Sequence, residues 1–179
     1  LCEMDDEEIA MLTVDNRKGG LLAGEYLYDM GHRSVLCITD NHWRMDEDRC
    51  NGVIEKVGKG EELMIPIDKD ERWKLYKEKM DYILSFSSVF AISDFYALDF
   101  MAFMEAEGKR IPQDISLIGF DGSLSAQQFN LTTITQDHIQ RAYYAVESLE
   151  EFRRNEMKNR VKVVDVSLKE GLTVRRLCD

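Results

Sequence analysis

Short uninterrupted apolar runs recur along the chain, at Ile9 to Val14, Val35 to Thr39, Leu63 to Ile67, Val89 to Ile92, Ile115 to Phe120 and Thr132 to Thr135. Between them the apolar positions spread out to helical spacing. A strand that is apolar on both faces is buried on both, and a helix between two such strands demands a parallel pairing with a right-handed crossover. The pattern predicts an α/β fold, a doubly wound and mostly parallel sheet.

The individual helices are punctuated by caps. The first, over about 18–30, puts Gly20, Ala23, Gly24 and Leu27 on one face, with Asp15 or Asn16 as N-cap and Gly31 just past the end. Small residues on that face permit close approach to a neighbour. A second helix is expected over about 47–57, ending at Gly58-Lys59-Gly60. A third, over about 70–84, aligns Trp73, Tyr76, Met80, Ile83 and Leu84, and a fourth aligns Ala97, Met101 and Met104 before Gly108. A last helix, over about 137–153, carries Ala142, Ala145, Val146, Leu149 and Phe152 and leads to a strand over Val161 to Leu168.

Composition narrows the class. The chain has 179 residues, 44% of them hydrophobic, enough for one ordinary core. With 32% charged residues and apolar runs far shorter than the roughly 18 residues a spanning helix needs, no membrane partner is expected. The net charge of −11, from 34 acidic and 23 basic residues, repels phosphate, so these residues do not themselves grip nucleic acid. Cys2, Cys37, Cys50 and Cys178 show no C-x-x-C spacing, which favours reduced thiols and a cytoplasmic setting. His32, His42 and His138 form no close grouping with them, so neither a metal site nor a cofactor is expected. No nucleophile elbow, phosphate-binding loop or dinucleotide fingerprint is present, and the chain does not read as an enzyme.

In doubly wound sheets ligands lie beyond the carboxyl ends of the strands, which directs attention to the residues just after each run. Those residues carry a resemblance. Val14-Asp15-Asn16 with Gly19-Gly20, Met30-Gly31-His32-Arg33, Arg49-Cys50-Asn51-Gly52, Ser88 to Asp94 with Ala97, the long block Gly108 to Asp121 and Leu131 to Gln136 follow one another as in the LacI/GalR family of bacterial transcription regulators. In order, over roughly 14–177, the six blocks resemble the effector-binding core of that family, which is similar to periplasmic sugar-binding proteins.

The resemblance implies a small-molecule effector, a sugar or sugar derivative, held between two lobes. It implies that residues 15–136 and 164–179 form the C-terminal lobe and that 1–14 and 137–163 are parts of the N-terminal lobe. It further implies that operator DNA is contacted only through a helix-turn-helix headpiece outside these residues, and that the protein is a homodimer. The apolar face of the helix over about 137–153 needs a cover, for which a second copy is one expectation. A sugar-binding protein of a transport system has the same core and is the alternative; the block from Ile111 to Asp121 favours the regulator.

Candidate ligand-binding residues follow from chemistry and resemblance together. Asp121 ends a strand before Gly122-Ser123, where a carboxylate accepts from two neighbouring hydroxyls; the alternative is a residue capping its own turn. Arg49, at the start of the second helix, offers a planar fork to paired hydroxyls, or else pairs on the surface with Asp46, Glu47 or Asp48. Ser93, beside Asp94, either reaches the ligand or caps the helix that follows. Trp43 offers a stacking face to a sugar ring, whereas Trp73 is expected to pack. Gln136, at the lobe crossover, completes the set. Two departures from the family pattern bear on the ligand: Lys69 stands near where an aromatic is expected, and Asp40-Asn41 replaces a glycine.

Overall fold

A computed structural model describes residues 11–40, 44–154 and 160–177. The strands are β1 (Met11–Val14), β2 (Val35–Thr39), β3 (Gly60–Met64), β4 (Ser88–Ala91), β5 (Ser116–Asp121), β6 (Thr133–Gln136), β7 (Val161–Val164) and β8 (Val166–Lys169). The helices are α1 (Asn16–Asp29), α2 (Arg44–Val57), α3 (Lys69–Glu78), α4 (Met80–Leu84), α5 (Asp94–Ala106), α6 (Leu124–Gln128) and α7 (His138–Arg153).

Six strands form one sheet in the order β3-β2-β4-β5-β6-β8. All neighbours pair parallel except β6 and β8, which run antiparallel. The doubly wound, mostly parallel α/β class is therefore as the apolar runs predict. The central strands β2 and β4 are buried at every position, and with Leu27, Val53, Tyr76, Phe100, Phe103 and Phe120 they form the core. The order turns back at β2, whose flanks are β3 on one side and β4 on the other, and this opens a crevice at the carboxyl edge.

Element boundaries move where local chemistry overrides the apolar run. β3 occupies Gly60–Met64 rather than Leu63 to Ile67, because Pro66 cannot donate to a ladder and Ile65 to Asp68 instead lead into α3, which Asp68 caps. The single helix expected over about 70–84 is two, α3 and α4, divided at Lys79. The single strand over Val161 to Leu168 is also two, because Asp165 turns the chain from β7, paired with β1, to β8, paired with β6.

α1 and α2 are pressed together backbone to backbone. A Cβ on Gly20 would lie 2.2 Å from the carbonyl oxygen of Arg49, and one on Gly52 would lie 2.7 Å from that of Arg17, so glycine at both positions is what allows the contact. The helices thereby bring Asn16 and Arg49, near their N-termini, side by side.

β1 and β7 form a separate two-stranded parallel sheet, and α7 follows β6. Three single residues join this unit to the larger sheet: Asp15 between β1 and α1, Asp137 between β6 and α7, and Asp165 between β7 and β8. The Asp15 N–H donates to the Val164 carbonyl and the Asp137 N–H to the Asp165 carbonyl. Asp15 and Asp137 also cap their helices, accepting from the N–H groups of Lys18 and Gln140. On α7, Ile139, Tyr143, Val146, Leu149 and Phe152 lie exposed along one face.

Candidate functional site

A cavity of about 610 Å³ opens where the two units meet, at the carboxyl edge of the large sheet. Asp121, Arg49 and Gln136 all line it, together with Asn16, Asp48 and Arg141.

Arg49 is buried, 7% exposed, and so is not a surface partner of its acidic neighbours. Its Nε donates to Asn16 Oδ1 at 2.8 Å and an Nη1 hydrogen to the Ile92 carbonyl at 2.6 Å, while the guanidinium carbon lies over the Phe120 ring, 3.8 Å from its centre. With five N–H groups in the fork and two so engaged, three N–H donors remain. The side chain is locked in place, an arrangement suited to recognition.

Asp121 ends β5 with φ at 125°, a conformation few residues other than glycine adopt, and Gly122 follows at φ 72°. At Gly122 a Cβ would be 2.6 Å from that of Thr135. The turn projects the Asp121 carboxylate toward the cavity rather than along the sheet. Gln136 Nε2 donates to Asp121 Oδ1 at 2.9 Å. Burial raises the carboxyl to about 6; the charge of Arg49 opposes the shift and that of Asp94 adds to it. Raised carboxyl pKa values of this kind concentrate at functional sites.

Asp94, the first residue of α5, was not singled out by sequence beyond its place beside Ser93. Its Oδ2 accepts from the Ser123 N–H at 2.7 Å and its Oδ1 from the Thr133 hydroxyl at 2.6 Å, which pins the turn after Asp121 to β6. Burial raises its carboxyl, against these hydrogen bonds. Ser93 caps α5, its Oγ accepting from the Tyr96 N–H at 3.3 Å, and it is not among the residues lining the cavity. Trp43 lies outside the described residues. Trp73 packs edge-on against Phe103 and donates to Asp99 Oδ1.

Gln136 is 8% exposed and is held from both sides, since its Oε1 accepts from Arg141 Nη1 at 3.0 Å. Arg141 belongs to α7, which sequence reading treated only as an amphipathic helix. Nothing in its spacing marked it as a cavity residue, because the contact depends on where the chain turns at Asp137. Among the described residues no group of three or more His, Cys, Asp and Glu is placed to hold a metal ion, and no helix is long and apolar enough to cross a membrane.

Comparison with protein families matches residues 25–176 to the periplasmic binding protein-like domain. Among curated relatives, the HTH-type transcriptional regulator CelR of Thermobifida fusca is 27% identical over 146 residues, covering 73% of this chain and 42% of the relative. The HTH-type transcriptional repressor PurR of Escherichia coli O1:K1 / APEC is 34% identical over 140 residues, 69% of this chain and 40% of the relative. Where they align, this chain spans less than half of either protein. Among solved structures, a periplasmic binding protein/LacI transcriptional regulator of Alkaliphilus metalliredigens, complexed with D-xylulofuranose, superposes with a TM-score of 0.79 at 26% identity, covering 93% of this chain and 66% of that one.

Proposed function

Because the chain belongs to the periplasmic binding protein-like domain family, we propose that it is the effector-sensing core of a transcription repressor of the LacI/GalR type. It takes a small polyhydroxylated ligand, a sugar or sugar derivative, in the cavity at the carboxyl edge of the large sheet. The observation that carries this reading is the convergence there of Arg49, with three N–H donors to spare, and Asp121, whose carboxylate retains acceptor sites, across a cavity of about 610 Å³. Donors and acceptors on fixed elements complement adjacent hydroxyls, which both donate and accept. The named relatives support the regulatory role, and the sugar in the Alkaliphilus structure supports the ligand class.

In this reading residues 15–136 and 164–179 are one lobe of the sensor, while 1–14 and 137–163 belong to the other. Ligand shifts a pre-existing equilibrium between lobe arrangements, and a helix-turn-helix headpiece outside these residues reads that shift as altered DNA affinity. The protein performs no catalysis and works in the cytoplasm. It acts as a homodimer, for which the exposed Phe129, in a groove with Leu98 and Met101, offers an apolar surface.

Thermal-shift screening of the full-length gene product against neutral monosaccharides tests the site, since mass action stabilises a protein only through ligands it binds. A sugar that raises the melting temperature of the parent protein is expected to lose at least about tenfold in affinity in Asp121→Ala and in Arg49→Ala, the ~1.4 kcal/mol of a charge-assisted hydrogen bond. Undiminished affinity in both variants overturns the assignment.

A further inference from the structure

A chain of side-chain hydrogen bonds runs out of the cavity in one direction. Arg141 Nη1 donates to Gln136 Oε1 at 3.0 Å, and Gln136 Nε2 donates to Asp121 Oδ1 at 2.9 Å. Arginine has only donors, whereas a glutamine amide has a donor end and an acceptor end and can be reversed with little change of shape. The residue at the outer end therefore decides which way round the inner one stands. We propose, building on the ligand site assigned above, that Arg141 is a positioning residue: it orients the Gln136 amide so that the NH₂ faces Asp121 and keeps that carboxylate a charged acceptor for ligand hydroxyls.

The surroundings of Arg141 favour this role over that of an ordinary surface cation. Asp137, four residues earlier on the same helix, stands where a helical ion pair would form. Its carboxylate instead caps α7 at the Gln140 N–H, and among the described residues no carboxylate oxygen lies within 4 Å of the Arg141 guanidinium. Arg141 lines the cavity and ends on a neutral amide. That amide is nearly buried, so it cannot trade its partners freely for water.

Reversal of Gln136 would set its carbonyl oxygen against the Asp121 carboxylate. The contact is repulsive unless Asp121 takes up a proton and donates. The other groups about Asp121 pull both ways: Arg49 on α2 favours the charged form, Asp94 on α5 and burial favour the neutral one, and Asp48 on α2, Asn16 and Arg17 on α1 and Asp15 at its cap line the same cavity. In that balance the direction of one hydrogen bond moves the midpoint of Asp121. Because Arg141 stands on α7, on the far side of the Asp137 crossover, the protonation of the ligand-facing carboxylate is tied to the placement of the smaller unit.

The test is a ¹³C NMR titration of the aspartate carboxyls in the full chain, with Asp121 assigned by Asp121→Asn. The midpoint of Asp121, about 6 in the parent, is expected to rise by about one unit in Arg141→Leu and to return in Arg141→Lys, which also only donates. Gln136→Glu, which sets a carboxylate between Arg141 and Asp121, is expected to raise it as well. A midpoint unmoved in Arg141→Leu, moved equally in Arg141→Lys, or raised as much by Arg141→Leu in a Gln136→Leu background as in the parent, as a charge acting through space would do, overturns the proposal. The titration uses no ligand, so its failure is distinct from failure of the sugar-binding reading, which the Asp121→Ala and Arg49→Ala affinities decide separately.

Discussion

Asp121 illustrates how a single residue is set against the stability of its own fold. Its carboxyl is held at about 6, above its ordinary value of 3.8, so the folded state binds its proton more tightly than the unfolded chain does. For a raised carboxyl the stabilising contribution is present below about pH 4 and is lost as pH climbs through about 6, after which the cost is constant. Asp121→Asn removes that cost and keeps a residue tolerant of positive φ. It is expected to raise the melting temperature of the ligand-free protein above pH 6, by the several degrees that about 1–2 kcal/mol represents in a partly exposed group, and to show no gain at pH 4. Differential scanning calorimetry at the two pH values decides it, and a gain independent of pH removes the explanation. Asp121 and Gln136 were legible because they stand at strand ends, and Arg49 through the family resemblance, although it lies in the second turn of a helix that begins at Arg44 rather than at about 47; all three line the cavity. Ser93 was readable only as a pair of alternatives, and the structure places it as a cap. Arg141 and the bridging role of Asp94 were invisible, since each depends on two segments meeting.

At the scale of elements, most boundaries followed the apolar runs to within a few residues, and the misses share a cause. The run from Leu63 to Ile67 contains Pro66, the helix over about 70–84 breaks at Lys79, and the run Val161 to Leu168 is interrupted by Asp165. In each, pairing or capping outweighed local hydrophobicity. The short helix α6 was not foreseen, since five residues carry too little periodicity. Residues 170–177, which have no regular structure of their own, are fastened to the sheet by Leu117 N–H to the Thr173 carbonyl and Arg175 N–H to Ser116 Oγ, and to the end of α1 by Leu177 N–H to the Met30 carbonyl. His32, fully buried, bonds through Nε2 to the Arg175 carbonyl. Burial lowers its pKa against that hydrogen bond, and the nearby charges of Arg175 and Arg33 lower it further. A histidine with a depressed folded value gives its full stability above its ordinary value of 6.5 and loses it as pH falls. Amide exchange at Arg175 and Leu177 is therefore expected to accelerate relative to the core strands between pH 7 and pH 5, and less so in His32→Gln. Equal acceleration in both would show that His32 does not hold the segment.

For the whole molecule, the resemblance read from six sequence blocks is borne out by the family match over residues 25–176 and by relatives named as transcriptional regulators. The blocks were readable because each is a contiguous run of residues, some at carboxyl-edge turns such as Asp15-Asn16 and Ser93-Asp94, others leading into a strand, such as Gly31 to Arg33 before β2 and Gly108 to Ile115 before β5. Quaternary arrangement is not local. Phe95 is 66% and Phe129 61% exposed, and Phe129 lines a groove with Leu98, Met101 and Ile111. If that groove is the dimer seam, Leu98→Asp is expected to halve the mass of the full-length protein in sedimentation velocity without lowering its melting temperature by more than a few degrees. An unchanged mass assigns the seam elsewhere, with the exposed stripe on α7 the next surface to test.

The three aspartates Asp15, Asp137 and Asp165 make each crossing between the two units one residue long, and backbone hydrogen bonds tie the crossings to one another. Straps one residue long leave little slack, so any change in how the units sit is confined to the few backbone dihedrals at these aspartates. Under the proposed reading, a small molecule gripped from both units would act through these three residues alone, since no other stretch of backbone among the described residues leads from one unit to the other.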